Sequence, residues 1–215
     1  MSDIKAIDTL KNHILVDGFH VVVDQQKSFG SYIIDLNTGK KYLDCYSQFA
    51  SQPLGWGHSA LIKAQNEMGV VGRVKLANSD MYSSTYAEFV EKFSEITPDF
   101  KHYFFIEGGA LGVENALKAA FDWKAKKLKY IHTVDINNLD VFHLKNAFHG
   151  RTGYTLSLTN TTPEKTALFP KFRWTTVEPD WEEIERRVHE EVAAIIIEPI
   201  QGEGGDNHFP LEFFK

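Results

Sequence analysis

The chain has 215 residues, 43% hydrophobic and 24% charged, which is enough apolar material for a sizeable core in one large domain or one and a half ordinary ones. A net charge of −6 argues against nucleic acid as a partner, because phosphate backbones select basic surfaces. Its one cysteine, Cys45, excludes an internal disulfide; Asp3 and Asp8 interrupt any secretory signal; and the longest apolar run, Val192 to Ile197, is far too short to span a bilayer, so a cytoplasmic protein with no membrane partner is expected.

In chain order, apolar residues at Ile4, Ile7, Leu10, Ile14 and Leu15 predict a helix over 4–16. Short β-rich runs follow at 20–24, 31–36 and 41–45, with Asn37-Thr38-Gly39 as the turn between the last two. Tyr86, Phe89, Val90 and Phe93 predict a helix over 85–96, stopped by Pro98. Tyr103–Ile106 reads as a strand buried on both faces, 114–127 as a helix, 135–140 as a polar surface loop and 141–144 as a strand. A helix over 181–191 and a buried strand over 193–197 complete a βα alternation, which implies a parallel α/β sheet with right-handed crossovers. The expected division is 1–75, a helix with a small antiparallel meander, and 76–215, an incomplete parallel-type sheet with helices on both faces. Pro210 and Glu212 suggest a helix just starting at the last residues, so the sheet is expected to continue beyond Lys215.

Three stretches carry chemistry. Glu107-Gly108-Gly109-Ala110-Leu111-Gly112-Val113-Glu114 follows a predicted strand and opens a helix, where small residues, free N–H groups and the helix dipole suit an anion such as phosphate. It matches neither the Walker A nor the dinucleotide pattern, and a tight βα turn that binds nothing has the same spacing. Ala147-Phe148-His149-Gly150-Arg151 offers an aromatic face for a planar ring and a guanidinium for a carboxylate; a turn with a core Phe and a solvated Arg would look alike. Glu198-Pro199-Ile200-Gln201-Gly202-Glu203-Gly204-Gly205 lies beyond the carboxyl end of a predicted strand, where open α/β sheets bind ligands, although a solvated acidic loop is the alternative. The nine histidines lack metal-ligand spacing, and no Gly-x-Ser-x-Gly elbow is present.

Taken together and in order, Phe104 to Lys118, Ala147 to Thr161 and Glu198 to Asp206 resemble the class III aminotransferases, and the Gly-Ala-Leu-Gly-Val-Glu-Asn wording at 109–115 resembles the lysine 6-aminotransferase subgroup. The resemblance runs from about Phe19 to the end. It implies a fold-type I enzyme using pyridoxal 5′-phosphate to move the ε-amino group of L-lysine to 2-oxoglutarate, as a homodimer when full length. It further implies that Gly109 and Ala110, with Gly108 beside them, hold the cofactor phosphate, that Phe148 stacks on its ring with His149 alongside, that Arg151 grips the substrate carboxylate, and that Glu203 is a gate pairing with an arginine. Two departures stand out: Gly108 replaces a common Ser, and Gly57-His58-Ser59 replaces the usual His-Pro. The Schiff-base lysine belongs to the family's later half, so no catalytic residue is expected in these 215 residues and the chain is expected to be inactive alone. Another ω-aminotransferase, using ornithine or 4-aminobutyrate, or a silent fragment acting only by association, are the competing readings.

Overall fold

The computed structural model describes residues 6–73, 80–129 and 135–215, and the chain divides into two compact units, Met1–Thr97 and Pro98–Lys215. The division expected between 75 and 76 falls outside the described residues.

In the first unit, helix α1 (Ala6–Lys11) is shorter than the predicted 4–16, and residues 1–5 lie outside the described part. Ile14 and Leu15 are exposed, and a helix persists mainly where its apolar stripe is buried. Strands β1 (Tyr32–Ile34) and β2 (Lys41–Leu43) form the antiparallel hairpin, while 20–24 contributes only a single bridge, Val23 to Asp35. Aspartates fix the corners. Asp35 accepts from the N–H groups of Val22 and Asn37 and from the Thr38 hydroxyl, and Asp44 accepts from Ser47 N–H and Trp56 Nε1. His58 caps helix α2 (Ser59–Lys63) by accepting from Ala60 N–H. Helix α3 (Gln65–Val71) follows; α4 (Ser84–Ile96) is capped by Ser83, whose Oγ accepts from Tyr86 N–H. No described apolar side chain in this unit is fully buried.

The second unit holds the core. Its helix α5 (Gly109–Lys129) leads to β3 (Asp140–Leu144), which is buried along its whole length and flanked by two parallel strands, β4 (Thr176–Val177) and β5 (Val192–Ile196), in the order β4-β3-β5. Alternate side chains of β3 serve opposite faces. Val141 packs with Leu117 of α5 and Leu158; Phe142 and Leu144 pack with Val177, Ile184 of α8 (Trp181–Arg187) and Phe213. Between β3 and β4 lie α6 (Gly153–Ser157) and α7 (Pro163–Thr166), and beyond β5 comes a small hairpin of β6 (Ile200–Gln201) and β7 (Asn207–His208). This is the α/β architecture expected, with helices on both faces of a parallel sheet.

Several local expectations change. Tyr103–Ile106 is not a buried strand: it joins none of the described sheets, and Phe104 is 69% exposed, because a doubly apolar run becomes a strand only beside a neighbour that completes its ladder. Asp140 is buried rather than part of a surface loop; it accepts from Val141 N–H, Thr175 N–H and the Thr175 hydroxyl and so ties β3 to the approach of β4. Strand β5 is partly exposed, since among the described residues only β3 flanks it. Helix α8 ends at Arg187 and starts on Asp180, whose side chain accepts from Glu182 N–H at 2.9 Å. Asp180→Ala should therefore cost about 1 kcal/mol in urea unfolding, with little effect on ligand binding. No described helix is long and apolar enough to cross a membrane.

Candidate functional site

Helix α5 starts at Gly109, five residues before its periodicity becomes visible, because Gly108 takes φ +89° and turns the chain directly into the first helical turn. Gly112 N–H donates to the Gly108 carbonyl at 3.0 Å, which leaves the amides of Gly109, Ala110 and Leu111 without an intrahelical acceptor. No described side chain caps them. A Cβ placed on Gly108 or Gly109 would meet no heavy atom within 4 Å, so the space beside both glycines is open at the positive end of a 21-residue helix.

The segment 147–160 closes on itself after β3. Asn160 N–H donates to Ala147 C=O at 2.9 Å; His149 N–H donates to Thr159 Oγ1 at 3.0 Å, and that hydroxyl donates on to the Gly150 carbonyl at 2.7 Å. Gly150 adopts φ +121°, and a Cβ built there would lie 2.5 Å from Ala110 Cβ and 2.8 Å from Thr155 Oγ1. The two stretches singled out in the sequence, 108–110 and 148–151, are thus in direct contact.

The third stretch reaches the second from the far side. The Glu198 carboxylate, at the end of β5, accepts from Phe148 N–H at 2.9 Å. Gln201 Nε2 donates to Lys145 C=O at 2.8 Å, and a Cβ on Gly204 would lie 2.1 Å from the Asn146 carbonyl. Phe148 is half-buried, His149 buried and Arg151 exposed with no described acidic partner. Glu203 pairs with Lys165 rather than with an arginine.

Electrostatics distinguish the groups. Burial, with the nearby His143 adding to it, lowers the His149 imidazole to about 4, so it is neutral at pH 7; its Nε2 is buried with no partner among the described residues. The Thr152 hydroxyl, followed by the Tyr154 N–H, holds Glu114 below the usual carboxylate range in spite of partial burial. Burial pushes Glu198 up, partly offset by the Phe148 N–H. Glu114 and the threonines at 152, 155 and 159 carry no spacing signal in the sequence; their importance appears only once α5 and the 147–160 loop meet. Glu198 stands in a recognisable acidic stretch, but its hydrogen bond to Phe148 spans 50 residues.

Comparison with known proteins points one way. The aminotransferase class-III family profile matches residues 16–215. The L-lysine-epsilon aminotransferase of Amycolatopsis lactamdurans is 44% identical over 96% of this chain and 52% of its own length, and ornithine aminotransferase 1 of Staphylococcus aureus is 31% identical over 82% and 44%. The solved lysine aminotransferase from M. tuberculosis superposes with a TM-score of 0.87 at 43% identity, covering 96% of this chain and 54% of that one. The chain spans about half the length of the curated relatives it matches.

Proposed function

The chain belongs to the class III aminotransferases, pyridoxal 5′-phosphate enzymes of fold type I, and from that membership we propose that residues 108–110 and 148–151 form the cofactor-binding half of a lysine 6-aminotransferase site. The observation that carries the proposal is the contact of Gly150 with Ala110, which brings Phe148, two residues before it, and Arg151, one residue after it, to the chain segment that passes the start of α5.

The residues present suit this cofactor. A phosphate dianion needs preorganised donors, and three free amides at a helix N-terminus supply them. The neutral, unpartnered His149 and the half-buried Phe148 suit a planar heterocycle better than a second anion. When bound, the cofactor supplies an electron sink for the carbon that carries the transferred amino group. The chain's own residues then bind and orient: Gly108, Gly109 and Ala110 the phosphate, Phe148 and His149 the ring, Arg151 a substrate carboxylate. Glu203 balances charge by exchanging partners between a cationic amine and a diacid. Its pairing with Lys165 gives the carboxylate one resting place.

L-Lysine as donor and 2-oxoglutarate as acceptor, a homodimer and a cytoplasmic location complete the proposal. Lysine over ornithine is favoured by the wording at 109–115 and by 44% identity against 31%. The test is glutamate formation from 2-oxoglutarate with lysine, ornithine or 4-aminobutyrate as donors and added cofactor. A protein carrying this segment with its complementary half should prefer lysine, and the 215 residues alone should show no turnover; a preference for ornithine would overturn the donor assignment. In the active protein Arg151→Ala should weaken 2-oxoglutarate by at least about tenfold, the scale of a lost charge-assisted hydrogen bond, and an unchanged KM would remove Arg151 from the site.

A further inference from the structure

The segment that carries Phe148, His149 and Arg151 is held at both ends by carboxylates from other elements. At its start, Glu198 accepts from Phe148 N–H at 2.9 Å. At its end, Glu114, in the second turn of α5, accepts from Tyr154 N–H at 2.8 Å. Tyr154 is in the first turn of α6, where Thr152 N–H donates to Thr155 Oγ1 at 3.0 Å, so the Glu114 carboxylate accepts from an amide at the start of that helix. Above it, the Tyr154 ring meets Phe121, two turns further along α5, edge-to-face at 5.6 Å.

We propose that Glu114 and Glu198 are positioning residues that fix the distance between the amide cup of α5 and the 148–151 segment, one acting from α5 and the other from the end of β5. Neither acts on the reacting atoms. Glu114 is the only one of the two on the same helix as the cup, so its bond to Tyr154 N–H transmits the position of Gly109 and Ala110 directly to the loop. Glu198 sets the opposite edge, at the residue whose ring would cover the cofactor. The two differ in the charge they need. Glu114 is stabilised as the carboxylate by its Thr152 and Tyr154 donors, whereas half-buried Glu198 needs only a neutral acceptor for Phe148 N–H.

This inference rests on the cofactor reading above, and the two can fail separately. Two probes read different parts of the site on the 215-residue chain: inorganic phosphate reports the α5 amides alone, and pyridoxal 5′-phosphate reports the amides together with the 148–151 segment. Glu198→Ala and Glu114→Ala should each weaken pyridoxal 5′-phosphate about tenfold and leave inorganic phosphate within about twofold, with faster exchange of the Phe148 and Tyr154 amides. Glu198→Gln should restore binding close to that of the unaltered chain, whereas Glu114→Gln should restore only part of it. No saturable pyridoxal 5′-phosphate binding by the unaltered chain would overturn the cofactor reading and the brace with it. Saturable binding that both alanine variants leave unchanged, or a parallel loss of both probes, would overturn the brace alone.

Discussion

Gly150→Ala should cost more than about 3 kcal/mol in unfolding free energy and remove measurable pyridoxal 5′-phosphate binding. Two independent causes add. The backbone at φ +121° lies in a region that side chains with a Cβ rarely adopt. The new methyl would also sit 2.5 Å from Ala110 Cβ, 2.8 Å from Thr155 Oγ1 and 3.1 Å from Ala110 Cα. The last contact is backbone of α5, so relief means moving the loop away from the helix that carries the cup. Gly109→Ala is the comparison. Its added methyl meets nothing within 4 Å and its φ is ordinary, so stability should change by no more than about 1 kcal/mol, while the open approach to the amides narrows. Urea unfolding of the two variants beside the unaltered chain reads the difference. Equal stabilities would mean that 150 and 110 are not packed as described.

Acid should destabilise the second unit through His149. Its folded value of about 4 lies below the ordinary 6.5, so the unfolded chain takes up the proton first. The stability that neutral His149 contributes is fully present above about pH 6.5 and is lost as pH falls toward 4, a total of about 3 kcal/mol over that window. Glu114, lowered in the fold, acts with the same sign at lower pH: its contribution is present above the unfolded carboxylate range and disappears as pH falls through its depressed value. Glu198, raised, acts oppositely and favours the fold when protonated. Unfolding free energies at pH 7 and pH 4.5 for the unaltered chain and His149→Gln separate these contributions. The variant should show a shallower pH dependence between those values, with buried His143, also lowered, keeping the same sign, and an identical slope would remove His149 as a source.

What the sequence made legible depended on local pattern. Asn37-Thr38-Gly39 signals its hairpin through turn chemistry, β3 and α4 through run length and periodicity, and the helix after Gly108 through small residues ahead of an apolar stripe. The family, too, is legible, because three ordered motifs with fixed separations are specific even where each alone is not. What was hidden is non-local. Strand β4 is two residues long, and Thr176-Val177 becomes a strand by pairing with β3, to which Asp140 also ties Thr175 thirty-five residues away. Tyr103–Ile106 has the composition of a buried strand but no place in the described sheets. In the site, residue types at 108–110 and 148–151 suggested a cup, a plate and a hook. Their adjacency depends on Gly150 against Ala110, and their spacing on Glu114 and Glu198, pairings that no window of sequence contains.

Residues 108–110 and 148–151 should form one shared binding surface, and amide-resolved NMR of the isotope-labelled chain during a pyridoxal 5′-phosphate titration tests this most directly. The Gly109, Ala110, Phe148 and Arg151 amides should shift together along a single saturating curve, with inorganic phosphate moving the first two alone. Shifts confined to one of the two segments, or centred elsewhere in the chain, would contradict it.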